Sequence, residues 1–441
     1  MAKTYDTYKD SGIAWIDMIP KGWRALPFKS IFYTEKGLNI TKADLTETGV
    51  PVLSYGQIHS KQNTGTYLNE ELFKFVPRSY LKTNPECLVQ KGCLLIADTS
   101  EDYEGCGNAI YVDSNKTLFA GYHTIIARPY NIGRDYKYFA YLLLTDNWRQ
   151  QVRSCVSGIK VYSVNQKILK QTSVLFPPLP EQEAIATYLD EKCGEIDSLI
   201  SLQEEMISEL QAYKQSVITE AVTKGLDLNV PMKDSGVEWI GQIPSNWGKD
   251  KIFRIFFIIG SGTTPKATDE RIFDGNINWI QSGDINGGIM IECKNKISEI
   301  VLSQYSTLKI YKAPFIIVAM YGASVGNISI SNIDGCVNQA CCVMSDSRQC
   351  FSYLFYAIKA AKDYLIYRAE GGGQPNISQD KIKNLWLPLP PLSEQQAIAS
   401  YLDEKTSQID SLIALKQEKI TELKDYKKSI IYEYVTGKKK V

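Results

Sequence analysis

The chain has 441 residues with a formal net charge of zero, and 44% of its residues are hydrophobic. One hydrophobic core stops growing well below this length, so we expect two or more domains. No window approaches eighteen uncharged apolar residues and the N-terminus lacks an export signal, which argues against a membrane-spanning helix and predicts a cytoplasmic protein. Ten scattered cysteines without a Cys-x-x-Cys pair favour reduced thiols, and with only two histidines no metal is expected.

Positive charge is concentrated in two separate parts of the chain. Residues 21–176 carry 19 Lys/Arg against 13 Asp/Glu, and residues 248–387 carry 15 against 12, whereas residues 181–230 carry 3 against 11. The first two parts therefore have net charges of +6 and +3, which permit binding to nucleic-acid phosphates. Excesses of this size also arise by chance, so charge alone does not decide the function.

The opening of the chain returns in its middle. The residues Lys9-Asp10-Ser11-Gly12, Trp15-Ile16, Ile19-Pro20 and Trp23 recur 224 positions later as Lys233-Asp234-Ser235-Gly236, Trp239-Ile240, Ile243-Pro244 and Trp247. A second block, 177–200, recurs at 390–413 with 18 of 24 residues identical. These repeats predict two half-units, each with a short opening segment, a divergent middle and a near-duplicate tail.

The repeats also predict domain boundaries. We expect opening segments at 1–23 and 231–247, middle domains at 24–176 and 248–387, and helical regions at 177–230 and 388–441. Short β-rich runs separated by Gly, Asn, Asp and Ser predict mixed α/β middle domains, with helices near 136–151 and 351–369. The two middles share a faint skeleton, 52–58 against 279–285, and therefore have the same predicted fold.

The tails predict two long helices. Apolar residues recur in the three-four spacing of a heptad seam, interrupted by Lys192 and Gln203. The predicted seams are Ile185, Leu189, Ile196, Leu199, Met206, Leu210, Tyr213 and Val217, and in the copy Ile398, Leu402, Ile409, Leu412, Leu423, Tyr426 and Ile430. Ser393 and Gln396 predict a capping box at the start of the second helix. Such a seam also occurs where a helix packs on its own domain, but two equal rods of about 60 Å favour an intramolecular antiparallel coiled coil.

The sequence offers little catalytic machinery. A phosphate-binding Gly-x-x-x-x-Gly-Lys loop and a Gly-x-Ser-x-Gly elbow are both missing, and His59 and His123 are the only imidazoles. One alternative is an enzyme in which Asp284, Glu292 and Lys294 bind Mg²⁺ for phosphodiester cleavage. Another is a coiled-coil interaction protein without a DNA role.

The order of motifs resembles the DNA-specificity subunits of type I restriction-modification systems. The resemblance rests on Trp-Ile-x-x-Ile-Pro-x-x-Trp, the Gly-x-Thr-Pro at Gly262 to Pro265, Trp279-Ile280 with Gly283-Asp284-Ile285, and the Glu-Gln-x-Ala-Ile-Ala and Leu-Asp-Glu-Lys helix starts, in family order over nearly the whole chain. The first domain departs from the pattern, because it lacks Gly-x-Thr-Pro and has Gln57 where the second has Asp284.

This resemblance implies two target-recognition domains of similar α/β fold joined by two long antiparallel helices in a pseudo-two-fold repeat. Each domain would read one half of a split, asymmetric double-stranded DNA target. The chain itself would be non-catalytic and without a cofactor. Two methylation subunits would supply S-adenosylmethionine chemistry, and restriction subunits would supply ATP hydrolysis and Mg²⁺-dependent cleavage.

Base recognition needs amide, carboxylate and cationic side chains on exposed loops, although such loops are also common as solvated turns. The candidates are Ser54, Gln57, His59, Lys61, Gln62, Asn63 and Lys160 in the first domain, and Gln281, Ser282, Asp284, Asn286, Gln374 and Asn376 in the second. Glu209 and Glu422, charges beside the helical seam, are the candidate partner contacts. Helices of fixed length would also set the distance between the two half-sites.

Overall fold

The structure is a computed structural model that describes residues 4–13, 15–131, 135–158, 160–227, 229–265, 273, 275–369 and 376–441. The chain forms two compact units, Met1–Gln203 with Glu418–Val441 and Glu204–Gln417. Each unit contains an opening segment, one middle domain and one part of each long helix. Among the described residues, no helix combines the length and apolar character needed to cross a bilayer.

The first unit begins with a hairpin and continues into a mixed α/β domain. Its elements are β1 (Tyr8–Ile13), β2 (Ile16–Pro20), β3 (Arg24–Pro27), β4 (Phe32–Lys36), β5 (Val50–Leu53), α1 (Tyr55–Ile58), β6 (Lys74–Val76), α2 (Tyr80–Thr83), β7 (Leu88–Val89), β8 (Leu94–Ala97), β9 (Thr99–Ser100), β10 (Ala109–Tyr111), β11 (Leu118–Ala120), β12 (Thr124–Pro129), α3 (Lys137–Leu144), α4 (Asp146–Arg153), β13 (Tyr162–Ser163), α5 (Gln166–Gln171) and β14 (Ser173–Phe176). The long helix α6 (Leu179–Lys224) follows.

The second half of the chain repeats this order of elements with changes in the loops. Its elements are β15 (Met232–Asp234), β16 (Gln242–Pro244), β17 (Gly248–Lys251), α7 (Ile252–Ile255), β18 (Phe256–Gly260), β19 (Ile277–Ile280), β20 (Ile289–Met290), β21 (Lys296–Ile297), α8 (Glu299–Gln304), β22 (Phe315–Ala319), β23 (Ile328–Ser331), β24 (Cys336–Val337), β25 (Cys341–Ser347), α9 (Phe351–Ala360), α10 (Lys362–Tyr367), α11 (Gln379–Lys383), β26 (Trp386–Leu389) and α12 (Leu392–Val435).

The sheets show that the two middle domains have the same fold. The first domain has one sheet ordered β10-β8-β12-β4 and another ordered β6-β5-β11-β7, and the second has β18-β25-β22-β23-β20 and β21-β19-β24. The pairs β5–β11 and β19–β24 are parallel, with Val52 opposite Phe119 and Trp279 opposite Cys336. The strands that this pairing joins are fully buried at Leu53 and Ile280, as expected for parallel strands inside a domain. The faint skeleton shared by the two middles is therefore a shared sheet.

The two long helices pair in antiparallel orientation, as predicted. Their 46 and 44 residues correspond to about 69 and 66 Å at 1.5 Å per residue. Lys427 Nζ lies 2.7 Å from Asp197 Oδ1 in the first unit, and Lys214 Nζ lies 2.6 Å from Asp410 Oδ2 in the second. Both members of the second pair are 213 positions from their equivalents in the first, with the helices exchanged. The duplication of the chain therefore includes this ion pair between the helices.

The buried seam differs in part from the predicted one. The inward residues recur with three-four spacing at Leu189, Cys193, Ile196, Ile200, Gln203, Ile207, Leu210, Lys214 and Val217, and at the positions 213 residues later. Leu199, Tyr213, Leu412 and Tyr426 are 47%, 58%, 48% and 57% exposed, so their assignment to this seam was wrong. The spacing of apolar residues alone does not show which of two adjacent apolar stripes on a helix is buried.

Two smaller details at the helices were also mispredicted. Lys192 lies off the seam, where its ammonium pairs with Glu195 one turn away at 2.8 Å. Helix α12 begins at Leu392, so Ser393 lies inside the first turn and does not precede it as a cap. Because the Gln395 N–H bonds to the Pro391 carbonyl, the proline pair supplies the first turn's acceptor.

Each domain core is completed by the C-terminal end of a long helix. In the first unit, Tyr138 donates its hydroxyl hydrogen bond to the Val435 carbonyl at 2.8 Å. In the second, the Tyr353 hydroxyl lies between the Pro388 carbonyl at 2.9 Å and the Val222 carbonyl at 3.3 Å. The buried residues Ile430, Ile431, Tyr434 and Val435 join the core that contains Trp23 and Tyr138. The buried residues Ile218, Ala221 and Val222 join the core that contains Trp247 and Tyr353.

The helix starts are anchored by a second repeated contact. The Trp23 indole N–H donates to Glu181 at 2.7 Å, and the Trp247 indole N–H donates to Glu394 at 2.8 Å. Such an acceptor stabilises a buried tryptophan, because an unpaired indole N–H loses its hydrogen bond to water. The duplicated tryptophans of the opening segments therefore fasten each domain to the helix that follows it.

This packing predicts that a substitution at the C-terminus destabilises the domain near the N-terminus. We expect Ile431→Ala to lower the free energy of unfolding by about 2–5 kcal/mol, because it leaves a cavity in the first core. Hydrogen exchange should accelerate in residues 24–176. The matched variant Ile218→Ala, at the equivalent buried position, should instead act on residues 248–387. Faster exchange of 248–387 in Ile431→Ala would contradict this assignment.

Candidate nucleic-acid interface

The candidate loops begin with the same capped turn in both domains. The Ser54 N–H donates to Gln57 Oε1 at 3.0 Å, and the Gln281 N–H donates to Asp284 Oδ2 at 2.9 Å. In each case the side chain three residues into the turn satisfies a backbone donor at its start. Gln57 and Asp284, which differ in sequence, therefore hold equivalent positions directly after a parallel strand. Both turns end on a buried isoleucine, Ile58 or Ile285.

Two predicted base-reading residues of the first domain are used to fold its own loop. His59 Nε2 lies 2.8 Å from the Thr99 carbonyl, and the Asn108 amide donates to His59 Nδ1 at 3.0 Å. A carbonyl only accepts, so this network assigns the proton to Nε2. The Asn63 amide nitrogen donates to the Ile58 carbonyl at 2.7 Å, and its oxygen accepts the Gly65 N–H at 2.8 Å.

The other candidates of this loop differ in accessibility. Ser54 is buried, Gln57 is half-buried, and Lys61 and Gln62 are exposed. Gln57 and His59 line a cleft of about 960 Å³ together with Lys42, Lys74 and Arg149. Lys61 and Asn63 line a second groove of about 890 Å³ in the same unit. The structure thus separates a loop that looks continuous in sequence into two surfaces.

Three lysines of α12 face this second groove. They are Lys424, Lys427 and Lys428, and the groove is also lined by Arg149, Arg153 and Lys61. Glu104, Asp146 and Asp197 offset part of this charge, and Arg153 pairs with the first two at 3.1 and 3.3 Å. The surplus of lysines suits contacts with DNA phosphates, which set the register of a protein on the duplex.

Sequence reasoning missed an aromatic cluster at the cleft of the first domain. The Tyr55 ring lies 5.7 Å from the Tyr122 ring and 5.4 Å from the His123 ring, measured between centroids. Burial raises the pKa of the Tyr122 hydroxyl above its usual value. The parallel pairing of β5 with β11 brings residues 55 and 122 together, so their proximity is invisible in a linear scan. An unusual backbone also marks the site, because His123 has φ 55°.

The first domain has a structural substitute for the Gly-x-Thr-Pro opening that it lacks. A Cβ on Gly262 would lie 1.7 Å from the Val337 carbonyl oxygen, and a Cβ on Gly37 would lie 2.2 Å from the Gly121 carbonyl oxygen. Both glycines allow the chain to approach closely the end of one strand of the parallel pair, β24 in the second domain and β11 in the first. The first domain therefore lacks the Thr-Pro that follows the glycine in the family pattern, but it keeps a glycine where the chain approaches the strand closely.

The remaining candidates lie on neighbouring loops. Lys160 is exposed in a loop closed by the bridge between Ser157 and Ser163, and this loop joins the sheet at Thr99–Ser100 through β13. Asn376 is exposed beside the fully buried Ile377. Gln374 and the glycines of 371–373 lie outside the described residues.

The second loop is shaped by its own amide and by a lysine. Asn286 is exposed, and its oxygen accepts the Gly288 N–H at 3.1 Å. Lys359 Nζ donates to the Gly287 carbonyl at 2.9 Å. Burial lowers the pKa of Lys359 to about 8, and the positive charges of Lys214 and Lys362 add to this effect against the opposing charge of Asp410.

Asp284, the central residue of the nuclease alternative, holds its own turn. One Asp284 carboxylate oxygen caps the turn at Gln281, and Glu292 and Lys294 are exposed. Within the described ranges, no three His, Cys, Asp or Glu side chains converge into a group that could hold a metal ion. The geometry of Asp284 is that of a turn-forming residue.

Comparison with known proteins agrees with this architecture. Residues 20–232 and 244–425 match the family described as the type I restriction modification DNA specificity domain. The type I restriction enzyme MjaVIII specificity subunit of Methanocaldococcus jannaschii is 27% identical over 301 residues, which are 66% of this chain and 67% of that protein.

Two solved structures share the fold. One comes from work on complex assembly and conformational transition of the type I R-M system, with a TM-score of 0.71 and 17% identity over 95% of this chain and 99% of that chain. The HsdS subunit from Thermoanaerobacter tengcongensis has a TM-score of 0.51 and 17% identity over 95% and 98%.

The family match over both α/β domains identifies a DNA-specificity subunit, a class of protein that selects a DNA sequence. The chain belongs to the type I restriction-modification DNA-specificity family. It is a non-catalytic specificity subunit with two target-recognition domains, as the resemblance implied. The predicted fold class is confirmed as well.

The lowered pKa of Lys359 predicts a pH-dependent contribution to stability. Between pH 8 and 10.5 the unfolded chain holds this proton more than the folded chain does, so the free energy of unfolding rises with pH in that window. Lys359→Met removes the effect. The difference in unfolding free energy, wild type minus variant, should therefore increase from pH 8 to 10, as measured by urea denaturation. Lys309→Met controls for the loss of one exposed positive charge, and a difference that falls with pH would refute the prediction.

Proposed function

We propose that this chain selects a bipartite, asymmetric DNA sequence, with one target-recognition domain reading each half. The observation that carries the proposal is the pair of equivalent capped turns with different side chains, Ser54 to Gln57 and Gln281 to Asp284. A shared backbone presents different hydrogen-bonding groups at the same place, which suits two modules that read different bases. The candidate base-reading residues remain Gln57, Lys61 and Gln62 in the first domain.

In the second domain the candidate base-reading residues are Gln281, Ser282, Asp284 and Asn286, with Gln374 and Asn376 on the neighbouring loop. Ser54, His59 and Asn63 act by holding the first loop in shape, and Lys160 contributes a phosphate contact. We further propose that the lengths of α6 and α12 set the spacer between the half-sites, because each helix runs unbroken for more than 40 residues.

Each target-recognition domain should be exchangeable on its own. The strands that open and close the first domain pair with each other, with Arg24 opposite Phe176. An exchange of residues 24–176 for those of a relative therefore keeps both junctions on adjacent strands. We expect such a chimera to change one half-site and keep the other, as shown by selection from random DNA. The reciprocal exchange of 248–387 should change the other half, and a change of both halves by either chimera would contradict modular reading.

We also propose that two methylation subunits dock on the paired helices. Each helix carries a second stripe with three-four spacing, which lies outside the buried seam. On α6 the stripe consists of Leu199, Leu202, Met206, Glu209 and Tyr213, and on α12 of Leu412, Leu415, Lys419, Glu422 and Tyr426. Leu202 and Leu415 are 48% and 61% exposed. A helix with two such stripes suits a bundle in which further helices are added.

The chemistry of the complex would then lie on the partners. S-adenosylmethionine would bind the methylation subunits, and ATP and Mg²⁺ would serve restriction subunits where these are present. Two copies of the stripe in one chain support a complement of two methylation subunits. Glu209 and Glu422, which occupy equivalent positions on the stripes, remain the candidate charged contacts.

A charge placed on the stripe should therefore release partners without unfolding the chain. We expect Leu202→Glu to reduce the bound methylation subunits from two to one, and Leu202→Glu with Leu415→Glu to remove both, as measured by native mass spectrometry of the co-purified complex. Ser201→Glu with Ala414→Glu adds the same charges to exposed positions off the stripe and should keep both subunits. Retention of two subunits by the double stripe variant would rule out docking at this surface.

A further inference from the structure

The loop 281–288 of the second domain is held by side chains from outside it. The Ile285 carbonyl accepts a hydrogen bond from the Asn327 amide at 3.1 Å, and the Gly287 carbonyl accepts one from Lys359 at 2.9 Å. Lys362 donates to the Asn327 oxygen at 3.0 Å, which orients that amide toward Ile285. Two lysines, one directly and one through Asn327, thus brace the backbone on which the candidate base-reading side chains sit.

The lysines come from packed helices of the domain. Lys359 is the penultimate residue of α9 and Lys362 is the first residue of α10, and both side chains are half-buried. The Lys359 ammonium lies 5.3 Å from the centre of the Phe355 ring, which restricts its position. A donor on a packed helix fixes a carbonyl more firmly than a donor on the loop itself, because the backbone that carries it does not move with the loop.

The first domain braces the equivalent loop in another way. Its Ile58 carbonyl, equivalent to that of Ile285, accepts from Asn63 within the same loop at 2.7 Å. Tyr141 bonds to Asp190 in the first domain as Tyr356 bonds to Asp403 in the second, so the two tyrosines hold equivalent positions. Counting from these tyrosines, Leu144 and Asn147 stand where the second domain has Lys359 and Lys362. Leu144 packs against Gly65, where a Cβ would lie 2.6 Å from its Cδ2. The lysine brace therefore belongs to the second domain.

We propose that Lys359 and Lys362 are positioning residues that determine specificity for one half of the DNA target only, the half read by the second domain. This inference rests on the proposed function of the loop 281–288. Loss of the brace would let the loop move relative to the sheet, and base discrimination would fall because hydrogen bonds to base edges require fixed geometry. The first half-site, read by a loop that is held without these lysines, would be unaffected.

The test uses three full-length variants, each co-purified with its partner subunits. They are the double variant Lys359→Met and Lys362→Met (the methionine pair), the double variant Lys359→Arg and Lys362→Arg (the arginine pair), and the single variant Lys309→Met. Methionine keeps most of the apolar stem and removes the donor, whereas arginine keeps a donor. For each protein, DNA is selected from a random pool and discrimination is measured at both half-sites. Hydrogen exchange of β22 and β25 reports whether the second domain remains folded.

We expect the methionine pair to lose at least 10-fold of its discrimination at one half-site, with the other half-site within twofold of wild type and with β22 and β25 still protected. The arginine pair should recover discrimination at least in part, and Lys309→Met should match wild type. Full discrimination by the methionine pair, or an equal loss at both half-sites, would overturn the proposal. If β22 and β25 lose protection in the methionine pair, the second domain has unfolded and the folded arginine pair becomes the test. Failure of the arginine pair to discriminate better than the methionine pair also overturns the proposal. Failure of the wild type to select any bipartite sequence would instead count against the proposed function.

Discussion

The burial of helix ends in domain cores is the constraint on which the rest of the molecule depends. Residues 430–435 of α12 complete the core around Trp23 and Tyr138, and residues 218–222 of α6 complete the core around Trp247 and Tyr353. A domain of about 150 residues with such a large contribution from a distant segment cannot reach its full stability without that segment. The apolar helix ends thus make the long helices part of both folds.

The ion pairs along the helices have a smaller role. Lys214 with Asp410 and Lys427 with Asp197 have partly exposed carboxylates, and exposed pairs contribute only about 0.2–1 kcal/mol each. Their value lies in register, because a shift of one residue would separate both pairs at once. Burial of apolar side chains along the seam supplies the larger part of the attraction between the helices.

Within each domain, the side chains that hold the loops differ from the side chains that remain accessible to DNA. The groups nearest the sheet, such as His59, Asn63 and Asn327, form hydrogen bonds to backbone carbonyls. The groups farther out, such as Lys61, Gln62 and Asn286, remain accessible. This arrangement lets outer residues change without loss of the turn, which is what a family of subunits with different targets requires. In the second domain the framework extends to Lys359 and Lys362.

The repeat, the α/β character of the middles and the two long helices followed from the sequence alone, because each depends on local spacing or on direct identity between copies. Trp23 and Trp247 stood out as duplicated residues, although their glutamate acceptors did not. Tertiary structure decided which apolar stripe of the helices is buried, because Leu199 and Leu210 follow the same period on adjacent faces. It also decided that Tyr122 joins Tyr55 and that Lys359 reaches Gly287, since strand pairing and helix packing bring together residues whose separation along the chain carries no signal.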